Sequence, residues 1–373
     1  MRAVLFSKVC VTPMLLGILV STSAAAPVRR DPPQSIHGAV YLPMNTYNAP
    51  QMWKNFSPAE TKRDFGYAQR IHINALRVWL SYEYWQTDPV KFQTELDQML
   101  AAGHEDGIRF LLSLFENDGV DSRHQDIWSS DPHKAYDVPS PSMAIATGTE
   151  GGWEPPRQFV EWFMKRYGND DRVLAVEVMN EPGDGKGHQA GTVPFAKSMF
   201  KTAKLLQGTV PLTIGAERIE IAEEFIPLGL DIIQFHVNFP PSVKNFDEDV
   251  QPAIALGKKT GLPVWLTEWQ RIRTGGSGFS KADGFSKAEA FTDYASLAPA
   301  VNSYPMGNFF WSLMVKPAYL KGQRDNGTVN GLFWADGAVV SLKDARAIAQ
   351  DPSLNLKERP IPLNYIESLS KQE

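Results

Sequence analysis

From Gly38 onward, short runs of consecutive apolar residues alternate with longer helix-like segments. The runs are GAVYL (38–42), ALRVWL (75–80), IRFLLSLF (108–115), the stretch from Val173 into VEVMNEPGDG (176–185), TVPLTIGA (209–216), DIIQFHV (231–237), PVWLTEW (263–269) and GNFFWSLM (307–314). Runs of this length that do not alternate with polar residues predict strands buried on both faces, as parallel strands are. Between them, Ser57 and Glu60 are spaced as a capping box with Pro58 at the first helical position, and a second helix is expected near Asp88-Pro89. Further helices are expected over FVEWFMKRY (159–167), VPFAKSMFKTAKLL (193–206) and SLKDARAIAQ (341–350). Eight strand-then-helix units predict an α/β protein, a single (β/α)8 TIM barrel. An open doubly wound sheet would also alternate, but no glycine-rich phosphate loop follows the first strand. Two long irregular stretches, about 116–155 and 269–287, follow strands, so in a barrel they extend over the C-terminal face.

Reactive groups in such a barrel come from the C-terminal ends of strands. The fourth run stops on Asn180-Glu181-Pro182 and the seventh on Thr267-Glu268-Trp269, placing two carboxylates on one rim from non-adjacent strands. Facing carboxylates are what glycosidic bond cleavage requires, one to protonate the leaving oxygen and one to attack or to activate water. A separation of ~5–5.5 Å gives retention of configuration and ~6.5–9.5 Å gives inversion.

With VMNEP and WLTEW at these two strands, the chain resembles a clan A retaining glycoside hydrolase. It is most similar to glycoside hydrolase family 5, whose cellulases and mannanases carry Asn-Glu-Pro after strand four and a second Glu ending strand seven. The likeness follows strand order along essentially the whole chain after residue 26. It implies Glu181 as general acid/base, Glu268 as nucleophile and Asn180 as a ligand of the sugar 2-hydroxyl. Arg77, in LRVWL, matches an arginine that keeps the nucleophile ionised; His236 matches a histidine lining the site, and Trp311 an aromatic platform under the sugar. One position departs from the pattern: where family 5 commonly has a tyrosine two residues after that histidine, reaching the nucleophile, this chain has Asn238. Strand three likewise reads SLFEND where many relatives carry a histidine-containing run.

Each residue has a plainer structural reading. Arg77 can form a buried ion pair with Glu177, His236 can be a satisfied core histidine, and Trp311 can be core. Glu116, Asn117 and Asp118 after strand three, and Trp79, Tyr82, Glu83 and Trp85 after strand two, are candidate sugar contacts, for most of which an ordinary loop role is favoured.

Composition narrows the class. The 373 residues are 43% hydrophobic, enough for one large core, and the net charge of −5 argues against a nucleic-acid partner. Residues 1–26 read basic, then apolar (MLLGILV), then small (STSAAA), the layout of a signal peptide. The catalytic domain then spans 27–373, the protein is secreted or periplasmic, and no later segment is apolar for long enough to span a bilayer. Cys10, the sole cysteine, lies in the leader, so the mature chain has none and relies on its core rather than on disulfides. The expectation is a monomeric enzyme cleaving a β-linked glucan or mannan, without cofactor or metal. The seven histidines are scattered, with no HxH or HxxxH pair to suggest metal ligation. Alternatives are an exo-acting β-glycosidase on short oligosaccharides, or a carbohydrate-binding barrel that has lost its chemistry.

Overall fold

The computed structural model describes residues 35–120, 125–183, 185, 191–272 and 291–369. The expected leader, 1–26, and residues 273–287 of the second irregular stretch lie outside the described residues. Eight parallel strands close into a barrel in sequence order: β1 (His37–Val40), β2 (Ala75–Trp79), β3 (Arg109–Ser113), β4 (Val173–Asn180), β5 (Leu212–Gly215), β6 (Ile232–Asn238), β7 (Val264–Gln270) and β8 (Gly307–Phe310). β1 pairs with both β2 and β8, which leaves no free edge. The eight apolar runs therefore map one to one onto the barrel strands.

Several predicted strands overshoot. GNFFWSLM is buried almost throughout, but the regular strand ends at Phe310. Beyond it single backbone bonds remain, Trp311 N donating to Trp269 O and Leu313 N to Val40 O (both 3.0 Å), before Val315 N donates to Phe333 O (2.8 Å). Burial sets the length of an apolar run; hydrogen bonding sets the length of a strand.

Two register shifts reorient the rim. Glu177 pairs with Thr213 but Asn180 with Gly215, so β4 carries one extra residue over this interval, and β7 carries one between Leu266 and Glu268, opposite Phe235 and His236. Such bulges re-aim the side chains beyond them. In β4 the bulge turns Asn180 to the same side as Glu177, although an odd spacing of three would otherwise put them on opposite faces.

The helices start where their caps predict. Ser57 accepts from Glu60 N (3.3 Å) at the head of the Pro58–Arg70 helix, and Asp88 accepts from Lys91 N (2.9 Å) at the head of Pro89–Glu105. The expected reciprocal half of the first box is replaced: Glu60 pairs with Arg63 Nη2 at 3.1 Å. The stretch after β3 is tied back to the barrel by paired backbone hydrogen bonds between Glu116 and Ser140 (2.7 and 2.8 Å) and from Asn180 N to Phe115 O (2.8 Å). Tyr82 and Trp85 pack with Phe159 at 6.0 and 5.2 Å between ring centres, while Glu83 accepts from Ser140 Oγ at 2.7 Å. These three of the candidate sugar contacts are thus structural. No helix among the described residues is long and apolar enough to cross a membrane.

A buried cation joins the loops over the barrel mouth. Arg324 donates Nε to Pro132 O (3.0 Å), Nη1 to Ala318 O (2.9 Å) and Tyr319 O, and Nη2 to Ala135 O. Charge-assisted bonds to four carbonyls compensate a guanidinium that is 1% exposed. Arg324→Met fills much of the volume but orphans those carbonyls, and is expected to cost about 3 kcal/mol or more in denaturant unfolding.

Candidate active site

The C-terminal rim gathers a network of charged and amide side chains. Arg77, on β2, is fully buried and points into the barrel, where Nε and Nη2 clasp Glu177 at 2.8 and 2.7 Å. Nη1 donates to Glu268 Oε1 at 2.6 Å, and Nη2 also reaches Asn180 Oδ1 at 2.5 Å. Both readings of this arginine hold at once: it forms the ion pair with Glu177 and it contacts Glu268. Ser113 Oγ adds a 2.8 Å bond to Glu177 Oε1. The cluster requires a glycine beside it, because a Cβ on Gly215 would lie 2.7 Å from Glu177 Oε1 and 3.1 Å from Arg77 Nη2.

Glu181 follows the last residue of β4 with φ = 42°, in the left-handed region that non-glycine residues rarely adopt. Strain of this kind persists where the surroundings fix it. Here Glu181 N donates to Gly215 O (2.6 Å) and Asn117 Nδ2 donates to Glu181 O (2.8 Å). Asn117 is in turn fixed by Thr192 Oγ1 at 3.1 Å, so it braces the turn from behind. His236, on β6, has a fully buried side chain with Nδ1 2.5 Å from Glu181 Oε1 and 3.7 Å from Glu268 Oε1. It is a core histidine by burial and a site histidine by contact.

The two rim carboxyls have opposite environments. Burial pushes Glu181 well above the usual carboxylate range, and repulsion from Glu268 adds to it. Burial also pushes Glu268 upward, but His236, Arg77 and the Asn238 amide outweigh it and hold the group below its usual range. Burial lowers His236 as well, so the permanent positive charge on Glu268 is that of Arg77. Two neighbouring carboxyls pushed apart in this way are suited to acid and anion roles.

Asn238, the departure from the family pattern, donates Nδ2 to Glu268 Oε2 at 2.9 Å. Glu116 accepts from Asn180 Nδ2 (2.9 Å) and Asp118 N (2.8 Å), which clamps the Asn180 amide between Arg77 and a carboxyl. The Asp118 side chain hydrogen-bonds Glu181, and burial followed by the charge of Glu181 raises it well above its usual range.

A cavity of about 490 Å³ opens over these groups, with Trp79, Trp311 and Tyr319 on one wall and Glu217 among the acids on the other. Trp311 is 7% exposed, one residue beyond β8 rather than within it, and meets Trp79 edge-on at 5.2 Å. All six residues singled out from the sequence therefore converge on one site, and all but the fully buried Arg77 line the cavity directly. Glu217 and Tyr319 were not legible, because each follows no motif and reaches the cavity only through its loop. Gln270 and Asn330, which continue the hydrogen bonding from Asn238, were missed for the same reason.

Sequence spacing offered no metal-ligand pair, yet the fold gathers Glu181, His236 and Glu268 with one ligand atom each within 4.8 Å of the others. The donor set is a poor fit to a divalent ion. Arg77 Nη1 already occupies Glu268 Oε1 at 2.6 Å, and a second cation on that oxygen would face the guanidinium.

Comparison with solved structures places this geometry in a known fold. The chain is similar to an endo-1,4-β-D-mannanase from Thermotoga petrophila (TM-score 0.51, 16% identity, 75% of this chain and 88% of that one). It is also similar to a GH5_18 protein from Streptomyces cattleya solved with GlcNAc (0.54, 11%, 90% and 88%) and to an exo-β-1,4-mannosidase from an Opitutaceae bacterium (0.60, 15%, 87% and 60%). The chain shares its fold with clan A glycoside hydrolases. No protein-family model matches the chain, and no curated protein does.

Removing Arg77 tests the electrostatics of the site. Arg77→Met leaves Glu177 and Glu268 buried without their cation and is expected to cost about 3–5 kcal/mol in denaturant unfolding at neutral pH. The penalty should shrink as pH falls and the orphaned carboxyls take up protons.

Proposed function

We propose that the protein is an exported retaining β-glycoside hydrolase acting on a β-linked mannan or glucan. The observation that carries this reading is the approach of Glu181 and Glu268, whose carboxylate oxygens come within 4.8 Å across the cavity. So close an approach supports the closely spaced carboxyl pairs, ~5–5.5 Å apart, that work by double displacement over the wider pairs of inverting enzymes. The substrate class is suggested by the mannan-active neighbours and by the aromatic wall of the cavity; export rests on the leader-like pattern of residues 1–26.

In this mechanism Glu181, kept protonated by burial, gives its proton to the glycosidic oxygen as Glu268 attacks the anomeric carbon. The leaving group departs as an alcohol, and the sugar is joined to Glu268 as an ester. Glu181, now a carboxylate, takes a proton from water as that water's oxygen attacks the same carbon, and Glu268 leaves as the free anion. Two displacements return the original configuration. Arg77 stabilises the carboxylate at the start and at the end of this cycle. Asn180 is the partner of the sugar 2-hydroxyl, Trp311 the platform beneath the ring, and His236 the group that contacts Glu181 through Nδ1.

Reducing-sugar release should be measured on mannan, β-1,4-glucan, β-1,3-glucan, xylan and aryl β-glycosides. Wild-type release, with a fall of several orders of magnitude in Glu268→Gln and Glu181→Gln, is expected; wild-type turnover by Glu268→Gln would overturn the assignment. Preference for polymer or for aryl glycoside separates endo from exo action, while binding without turnover would favour the binding-protein alternative.

The activity should also follow a broad bell in pH. Its acid limb, set by Glu268, is expected below the usual glutamate range, and its alkaline limb, set by loss of the Glu181 proton, well above that range.

A further inference from the structure

On the reading of Glu268 as nucleophile, its two oxygens are held by different kinds of group. Oε1 faces the guanidinium of Arg77, while Oε2 takes one hydrogen bond from the Asn238 amide, a side chain on the cavity wall that is itself exposed. An exposed primary amide can turn over about its last torsion with little change of shape. Turned over, Asn238 would present Oδ1 to Glu268, acceptor against anion.

The fold prevents this from behind. β6 and β7 pair so that His236 lies opposite Glu268 and Asn238 opposite Gln270, two successive rungs on one face. Gln270, 4% exposed, donates Nε2 to Asn238 Oδ1 at 3.0 Å. Its own Oε1 accepts from Asn330 Nδ2 at 2.6 Å, and Asn330 is fully buried. Asn330 lies in β10 (Val329–Asn330), whose antiparallel pairing with β9 (Lys316–Pro317) holds its backbone; its Oδ1 is buried without a hydrogen-bond partner, so reversal of all three amides together is opposed at Glu268, where Asn238 Oδ1 would meet the carboxylate. Turning over any one of the three sets donor against donor or acceptor against acceptor at its neighbour.

We propose that Asn238, Gln270 and Asn330 form a three-amide relay that fixes the polarity of the amide on Glu268 Oε2 and so keeps that carboxylate turned to the cavity. All three are positioning residues. The relay stands in for the tyrosine common at this place in family 5, with one chemical difference: a carboxamide does not ionise near pH 10 as a phenol does, so it donates at every working pH.

The test is a titration of the Glu268 carboxyl by carbon NMR in the full-length protein labelled at glutamate, the resonance being assigned by its absence from Glu268→Gln. Asn238→Ala removes the bond directly. Gln270→Met is neutral and similar in size, and frees Asn238 to turn over. Each is expected to raise the Glu268 midpoint by about one pH unit. Asn330→Ala, two amides away, is expected to move it in the same direction by less, and gives a second reading if Gln270→Met does not fold, as judged by circular dichroism. Combined with Asn238→Ala, neither change should shift the midpoint further. A wild-type midpoint in the folded Gln270→Met and Asn330→Ala proteins, or an equal shift when Asn238 is already alanine, would overturn the relay. Turnover of Glu268→Gln separates the two proposals. Wild-type rates there remove the nucleophile and with it the relay's purpose, whereas an inactive Glu268→Gln beside unchanged titrations removes the relay alone.

Discussion

The arrangement of the rim depends on one buried cation. Arg77 has no solvent in which to disperse its charge, so its N–H donors must find acceptors inside the barrel. Glu177 takes two of its bonds, Glu268 one and Asn180 one, and these residues come from β4 and β7. A guanidinium is a planar fork of fixed shape, so satisfying it fixes where three side chains from two other strands must be. The absence of a side chain at Gly215 leaves room for this cluster, and the bulge in β4 turns Asn180 toward it.

The same cation separates the two rim carboxyls in character. Both glutamates are buried, and burial alone would protonate both. Only Glu268 touches Arg77 and receives a second hydrogen bond, from Asn238. Glu181 instead meets His236, lowered by burial, and Asp118, another acid. One carboxyl is thus held as an anion and the other as an acid less than 5 Å away, although the two side chains are chemically identical. Of the acids that follow the third strand, Glu116 strengthens this asymmetry by repulsion, which raises the cost of ionising Glu181, whereas the hydrogen bond from Asp118 acts the other way.

Stability and chemistry share parts in this molecule. Tyr319 closes one wall of the cavity while its carbonyl helps to satisfy Arg324, so the loops that shape the cavity are pinned by a second buried guanidinium. Asn117 and Thr192 brace the unusual backbone at Glu181 without entering the cavity wall. Residues outside the cavity wall therefore decide where the rim carboxyls stand.

The sequence by itself determined the strand count, the order of the barrel and the two reactive strand ends. Each is a local property: a non-alternating apolar run must be buried on both faces, and a parallel barrel puts every strand's end on one rim. It also carried the cap at Ser57, where side chain and orphan amide are three residues apart, and the helix start near Asp88-Pro89. Only the tertiary structure decided that Asn180 shares a face with Glu177, because a bulge breaks the period of two on which sequence reading depends. Only it brought Gln270 and Asn330 behind Asn238, assigned Tyr82, Glu83 and Trp85 to packing rather than to the cavity, and joined Glu181, His236 and Glu268 into one cluster. These are contacts between strands and loops distant in the chain, and the chemistry of a contact is not written in the spacing of either partner.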